Sequence, residues 1–378
     1  MSTLIDRVLP KTTTARITWI WLASRALVFA AAAVGSLHAL TKGPLLSTYS
    51  DLWFRWDTQW FDSIARFGYA APYSEVLHKD FHFNVAFFPG FPLLMRSGAA
   101  VGISTTVAGL LISLVAGLFA AMALGRLTAQ VQGLSEYGVL AWVAAPTAIF
   151  LAAAYTEALF CAFAFWAWTM GREHRWVWAG ALAGAAALVR VNGLFLAVGL
   201  IVLFLTSGSR QWWRGLALLL PFVATAGYFA YLKVITGSWS AWSQAQTVYW
   251  KRVTVDPLTS LLNTYQRIFV AHSVGSASMP SRFVIEILAM ALLTGACVLI
   301  FVHRWWGEGA YVLFTLISLG TSSVYLSVPR SAVVLFPVWM LLGLWMTRHR
   351  WFRIAYFVVA IPLLCYWTVR FTQGFWVS

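Results

Sequence analysis

Runs of about twenty apolar residues follow one another from Ile17 to Arg370, separated by short polar or basic intervals. A helix needs that length to cross the hydrocarbon core of a bilayer. Backbone inside lipid must also satisfy its own hydrogen bonds, which leaves helices or closed barrels. A barrel would alternate polar and apolar residues in short segments, and these runs do not alternate. The chain therefore reads as an all-α, polytopic helical membrane protein with the lipid bilayer as its first partner. Of its 378 residues 61% are hydrophobic and only 10% charged, far more apolar chain than a soluble core uses. No second soluble domain, low-complexity tail or solenoid repeat interrupts the pattern, so residues 1–378 read as one integral membrane domain.

The net charge of +14 would suggest nucleic acid on a soluble protein. Here Lys and Arg cluster between apolar runs, as cytoplasmic ends do under the positive-inside rule, and no nucleic-acid partner is implied. Residues 1–16, with Arg7, Lys11 and Arg16, read as a cytoplasmic leader. The first span, 17–40, is too long for a signal-peptide core. Further spans fit near 104–125, 137–154, 156–171, 177–189, 194–206, 215–236, 283–302, 308–326, 332–347 and 352–370, giving roughly eleven crossings. The run 176–205 is split in two because Arg190 and Asn192 sit in its middle. VAFFPGFPLLMR, 85–96, is short and interrupted by two prolines and a glycine, so it reads as interfacial or re-entrant. If it crosses, every later orientation inverts. With the N-terminus inside, Arg126 and the basic loops 171–176, 209–214, 303–308 and 348–353 share the cytoplasmic side. A multi-pass plasma-membrane protein results, with outer loops at 41–103 and 237–282.

That count predicts a cluster. The loop around Asp57, the turn Tyr155-Thr156-Glu157, the tip Arg190-Val191-Asn192-Gly193 and Pro329-Arg330 all fall on the outer side. Polar groups in membrane segments are costly and mark function. Arg25, inside the first span, either snorkels or faces the bundle. Cys161, Cys297 and Cys365 lie in apolar runs without CxxC or His spacing and read as packing residues. No metal motif, GxGxxG or Walker A sequence is present, so neither a metal nor a nucleotide cofactor is expected.

The stretch DLWFRWDTQWFDSIARFGY, Asp51 to Tyr69, reads as an amphipathic helix of the first outer loop. At about 100° per residue, Trp53, Trp56, Trp60, Phe61, Ile64 and Phe67 form one stripe and Arg55, Gln59, Asp62 and Arg66 the opposite face. Asp57 projects from within the aromatic stripe. It is paired to Arg55 or Arg66, or solvated because the segment is not a regular helix, or it is a general base. One carboxylate suffices when the leaving group is as good as a phosphate, whereas a glycosidase needs two. Asp62, on the other face, reads as structural. Arg190 and Arg330 carry forks suited to a lipid phosphate, or are ordinary interfacial arginines. Glu157 either pairs with one of them or orients a sugar hydroxyl. In the second loop Gln246, Trp250 and Arg252 sit among Trp239, Trp242, Gln244 and Tyr249, a mixture that suits carbohydrate stacking or an interfacial helix. Lys79, His82 and Asn84 are weaker candidates.

Several of these stretches resemble the PIG-V-type mannosyltransferases, members of the GT-C membrane glycosyltransferases. The resemblance rests on RWDTQWFDSIARFGY (55–69), FFPGFPLL (87–94), PTAIFLAAAYTEALF (146–160), ALVRVNGLFL (187–196) and PRSAVVLFP (329–337). Pro329-Arg330-Ser331 departs from the pattern, which has an aromatic after the arginine. The resemblance implies a GT-C-type helical bundle and a polyprenyl-phosphate-sugar donor. It implies that Asp57 is the base of a single inverting displacement on the extracytoplasmic face. It also implies substrate contacts for Arg55, Trp56, Trp60, Tyr155, Glu157, Arg190, Asn192, Gln246, Trp250, Arg252 and Arg330. Mannose would pass to a glycolipid or glycan acceptor. The Arg-rich, Lys-poor, Ala-rich composition points to a bacterial chain, and so to decaprenyl- or another polyprenyl-phosphomannose rather than dolichol. A lipid-linked sugar flippase would explain the spans without catalysis, but predicts internal repeats and a centrally placed charged cavity. A membrane acyltransferase would show a His–Asp or buried His motif, and the seven histidines are scattered.

Overall fold

The computed structural model describes residues 13–37, 41, 45–69, 83–132, 136–208, 212–270 and 280–377. Lys79, His82, most of the basic leader and residues 271–279 of the second loop lie outside them. Among the described residues every regular element is helical, and the sole β pairing is an isolated bridge from Thr254 to Ser322. Five helices are long and apolar enough to cross a membrane: Thr13–Gly35, Thr105–Val131, Trp212–Thr236, Ser281–Val302 and Arg350–Thr372. With shorter apolar helices beside them, the chain is a multi-pass helical membrane protein. The helix Thr156–Arg172 packs between Thr105–Gln132 and Trp176–Ala187, and Asn192–Thr206 packs on Trp306–Gly320. Burial in lipid gains no hydrophobic energy, so helix contacts depend on close fit. The alanines of 141–167 serve that purpose and are nearly all fully buried.

The span expected at 137–154 is broken. Helix Tyr137–Ala144 stops at Ala145, whose extended ψ of 143° follows from the proline behind it, and a 3₁₀ turn runs from Pro146 to Leu151. A break inside a bundle exposes carbonyls that must be satisfied there. Arg25 does this, donating Nη1 to Ala148 O at 2.8 Å and Nη2 to Val143 O at 3.1 Å. Its cation lies 4.6 Å from the Trp21 ring centroid. Arg25 therefore faces the bundle rather than snorkelling. A second break separates Val328–Ala332 from Phe336–Arg348. There Trp142 Nε1 donates to Val333 O at 2.9 Å and the Tyr311 hydroxyl to Val334 O at 2.9 Å. The run 176–205 also divides, between Trp176–Ala187 and Asn192–Thr206. The turn closes so tightly that a Cβ on Gly193 would lie 2.4 Å from the Ala187 backbone. Gly90 N–H donates to Leu188 O at 2.7 Å, which ties the PGFP segment to this turn.

The stretch 51–69 differs from expectation. It is not one helix: Leu45–Asp51 ends, residues 52–56 are irregular, and a new helix runs Asp57–Phe67. Trp56 takes φ 50°, a left-handed value that redirects the chain. The aromatic stripe is thereby cut. Trp53 is fully buried against Phe29 and Phe371, while Trp56 is 38% exposed. Asp57 opens the second helix rather than projecting from a stripe. Asp62 is buried, accepting from Arg66 Nε at 2.8 Å and from the Thr105 hydroxyl, and so ties this helix to Thr105–Gln132.

Candidate active site

Four chain segments bring their polar residues together. Arg330, from Val328–Ala332, donates Nη1 to Asp57 Oδ2 at 2.7 Å and Nε to Glu157 Oε1 at 2.5 Å. Arg190, in the turn after Trp176–Ala187, donates Nη1 to the same Glu157 oxygen at 2.6 Å and to Thr156 Oγ1 at 2.8 Å. Glu157 is fully buried at the start of helix Thr156–Arg172. An isolated carboxylate there would be prohibitive, and two arginines compensate it. Arg330 also lies 4.7 Å from the Phe150 ring centroid and 4.6 Å from that of Tyr155, a cation–π seat on two aromatic faces. Asp57 is therefore paired, but with Arg330, across 273 residues, and not with the neighbouring Arg55 or Arg66. Glu157 Oε2 has no donor among the described residues.

This cluster borders a cavity of about 420 Å³, which Thr156 lines but the buried Glu157 does not. Asp57, Arg190, Asn192, Gln246, Trp250, Arg252 and Arg330 all line it. One wall is aromatic, with Phe61, Phe87, Trp242 and Trp250. The lining also includes the hydroxyl residues Thr315, Ser318, Thr321 and Ser322. The second loop lines the cavity and is tied to the end of helix Trp306–Gly320. Thr254 bridges to Ser322, Val255 N–H donates to Thr321 O at 2.8 Å, and Ser323 Oγ donates to Lys251 O at 2.8 Å. Lys251 takes φ 48° at the bend, which delivers Arg252 to the cavity. No ion pair is formed by Arg252 with any described carboxylate. Its side chain is exposed as a whole, and the protein packed around it draws its pKa below the ordinary value, with Asp57 acting against the shift. An arginine so placed stays charged. Gln246 Oε1 is buried and has no donor among the described residues.

Other expected contact residues stand behind the cavity wall. Arg55 turns away and donates to Thr372 O from Nε at 3.3 Å and Nη2 at 3.1 Å, clamping the irregular segment to the last helix. Trp56 packs edge-on against Trp376, 5.0 Å between centroids, and Trp376 rather than Trp56 lines the cavity. Trp60 stacks on Phe87 at 6.1 Å and meets Trp250 edge-on at 6.3 Å, backing two wall residues. The Tyr155 hydroxyl donates to Arg55 O at 3.2 Å and accepts Asp57 N–H at 3.3 Å, so it fixes the start of the helix that carries Asp57. The lining hydroxyls and Trp376 escaped the sequence reading. Serines and threonines near a helix end look like solvated caps, and a tryptophan beyond the last span looks like a membrane anchor. Among the described residues no group of three or more His, Cys, Asp and Glu is placed to hold a metal.

Sequence comparison bears on the same segments. Residues 44–211 match the family described as Mannosyltransferase (PIG-V). GPI alpha-1,6-mannosyltransferase 2 of Rattus norvegicus is 35% identical over 164 residues, 39% of this chain and 30% of that protein. The Mus musculus protein of the same name is 34% identical over 203 residues, 50% of this chain and 37% of that protein. The Homo sapiens one is 36% identical over 162 residues. The chain thus spans about a third of the length of the curated relatives it matches. A solved structure, that of ArnT from Cupriavidus metallidurans bound to undecaprenyl phosphate, superposes with a TM-score of 0.49 at 14% identity, over 92% of this chain and 75% of that one. The likeness to the PIG-V mannosyltransferases, first read from short motifs, extends over residues 44–211 as a whole, the stretch that carries Asp57, Glu157 and Arg190.

Proposed function

We propose that this chain is a mannosyltransferase that moves mannose from a polyprenyl-phosphate carrier to a hydroxyl of a glycolipid or glycan, on the extracytoplasmic face. The observation that carries the reading is one carboxylate, Asp57, opening on a cavity that holds more arginines than carboxylates. Asp57 uses Oδ2 on Arg330 and leaves Oδ1 without a described donor. The acceptor hydroxyl gives its proton to Asp57. Its oxygen attacks the anomeric carbon, and the bond to the phosphate oxygen breaks with the electron pair leaving on polyprenyl phosphate. Attack opposite the leaving group inverts the centre, so a β-linked donor yields an α-mannoside. No acid is needed for a phosphate leaving group, and none is at hand: Glu157 is taken by two arginines and Asp62 by Arg66 and Thr105.

The arginines divide the remaining work. Arg330 and Arg190 orient Asp57 and Glu157 and supply positive potential to the cavity. Arg252, without a carboxylate partner, meets the phosphate as charge gathers on it in the transition state. The Gln246 amide oxygen, lacking a described donor, suits a sugar hydroxyl, and the aromatic wall suits the apolar face of the ring. The test is transfer of labelled mannose from polyprenyl-phosphomannose by the purified protein to a lipid extract. Formation of a mannolipid supports the reading. Movement of the carrier across vesicles, with no transfer, would make the protein a flippase instead.

A further inference from the structure

Glu286 plays no part in the chemistry above. It sits in the second turn of helix Pro280–Val302, whose length and composition suit a membrane span, and it is fully buried. A carboxylate at such a place is costly and is kept for a purpose. Both its oxygens go to one short piece of backbone. Oε1 accepts the N–H of Ser327 at 2.8 Å and Oε2 the N–H of Val328 at 2.7 Å. Those residues open the turn Val328–Ala332, which carries Arg330. Ser327 takes φ 60° and ψ 33°, a left-handed conformation that a residue with a Cβ holds only when its surroundings impose it. Ser331 Oγ donates to Ser327 O at 2.9 Å and closes the turn from the other side. Leu326, Ser327, Arg330 and Ser331 all line the cavity. This wall is therefore suspended between carboxylates, with Glu286 on its backbone and Glu157 and Asp57 on the Arg330 fork.

We propose that Glu286 is a positioning residue of this site: by holding the Ser327 and Val328 N–H groups it fixes where Arg330 meets Asp57. The kinetic consequence rests on the mannosyl-transfer reading; the structural one does not. A glutamine at 286 keeps the size and one acceptor, but turns an NH₂ group toward one of the two N–H donors. Glycine at 327 adopts positive φ without a clamp, so Ser327→Gly relieves the need that Glu286 meets.

The experiment uses the full chain in lipid nanodiscs with Glu286→Gln, Arg330→Lys and Ser327→Gly, alone and in pairs. Amide hydrogen exchange at 327–328 should quicken at least about tenfold in Glu286→Gln, while helix Thr156–Arg172 stays protected. The kcat should fall about tenfold with donor KM within about twofold, the pattern of a lost transition-state arrangement. Glu286→Gln should add nothing to Arg330→Lys, because both act at one point. Ser327→Gly should restore part of the lost rate. If Glu286→Gln alone does not fold, the pair with Ser327→Gly is compared with Ser327→Gly alone. Unchanged exchange at 327–328, or losses that multiply with Arg330→Lys, would overturn the assignment. A wild-type protein without transfer defeats the functional reading, and the exchange result then still decides whether Glu286 holds the turn.

Discussion

Helix Thr156–Arg172 has an ion cluster at each end, and the two differ in a useful way. At its start Glu157 holds Arg190 and Arg330, and Arg330 reaches on to Asp57 beside an open cavity. At its end Arg172 donates to Glu308, which also accepts Trp168 Nε1 at 3.1 Å. Glu308 is 2% exposed, and no cavity residue belongs to this group. Nearby, Asn192–Thr206 and Trp306–Gly320 meet through Gly199 and Gly307, where a Cβ on either would lie under 3 Å from the other's carbonyl oxygen. The chemistry of the two clusters is alike, a carboxylate and guanidinium buried in a helical bundle. One is closed by packing: Arg172 Nε has no described partner, yet it is buried and none of the group lines the cavity. The other lines the cavity with an Asp57 oxygen that has no described donor and a neighbouring arginine paired to no described carboxylate. Burial of a charge pair, then, does not distinguish structure from function here; unspent capacity facing a cavity does.

That comparison can be broken at several points. After Asp57 itself, the largest effect belongs to Glu157→Gln. It leaves Arg190 and Arg330 without their shared negative charge, so folding stability should drop by about 3–5 kcal/mol and transfer should fall by more than about a hundredfold. Thermal unfolding in nanodiscs and a rate per folded molecule would check both. Glu308→Gln should cost a similar stability, yet leave the rate per folded molecule within about threefold. A hundredfold loss there would erase the distinction between the two ends. Arg252→Gln should be milder. Losing a charge-assisted contact that strengthens on the phosphate in the transition state should lower kcat about tenfold with little loss of stability, because no carboxylate in the described structure relies on it. Trp60→Phe should be smallest, within about twofold in rate, since a ring still backs Phe87 and Trp250.

Some of this was legible in the sequence. Asp57, Glu157, Arg190 and Arg330 stand out because charge is rare in apolar runs and each sits at a run's edge. The positions of the basic loops put them on one side, and the structure joins them within hydrogen-bonding distance. The division of the 176–205 run was legible for the same reason. Local geometry was not. Residues 52–56 lie in a stretch whose spacing fits a helix, and only the tertiary anchors on Thr372 and Tyr155 hold them irregular. The break at Ala145–Pro146 was hidden inside an apolar run, and the arginine that satisfies it comes from 118 to 123 residues away. Nothing in the sequence singles out Glu286, because the Ser327 and Val328 N–H groups that it holds leave no mark there.

The central claim is that Asp57 accepts the proton of the attacking hydroxyl. Its most direct measurement is the rate of mannose transfer from polyprenyl-phosphomannose by Asp57→Asn and wild-type protein, corrected for folded fraction. An asparagine keeps the shape and a carbonyl acceptor for Arg330 but has no basic oxygen. The rate should fall by about 10²–10⁴-fold with donor affinity little changed. Transfer at the wild-type rate in Asp57→Asn would contradict the account.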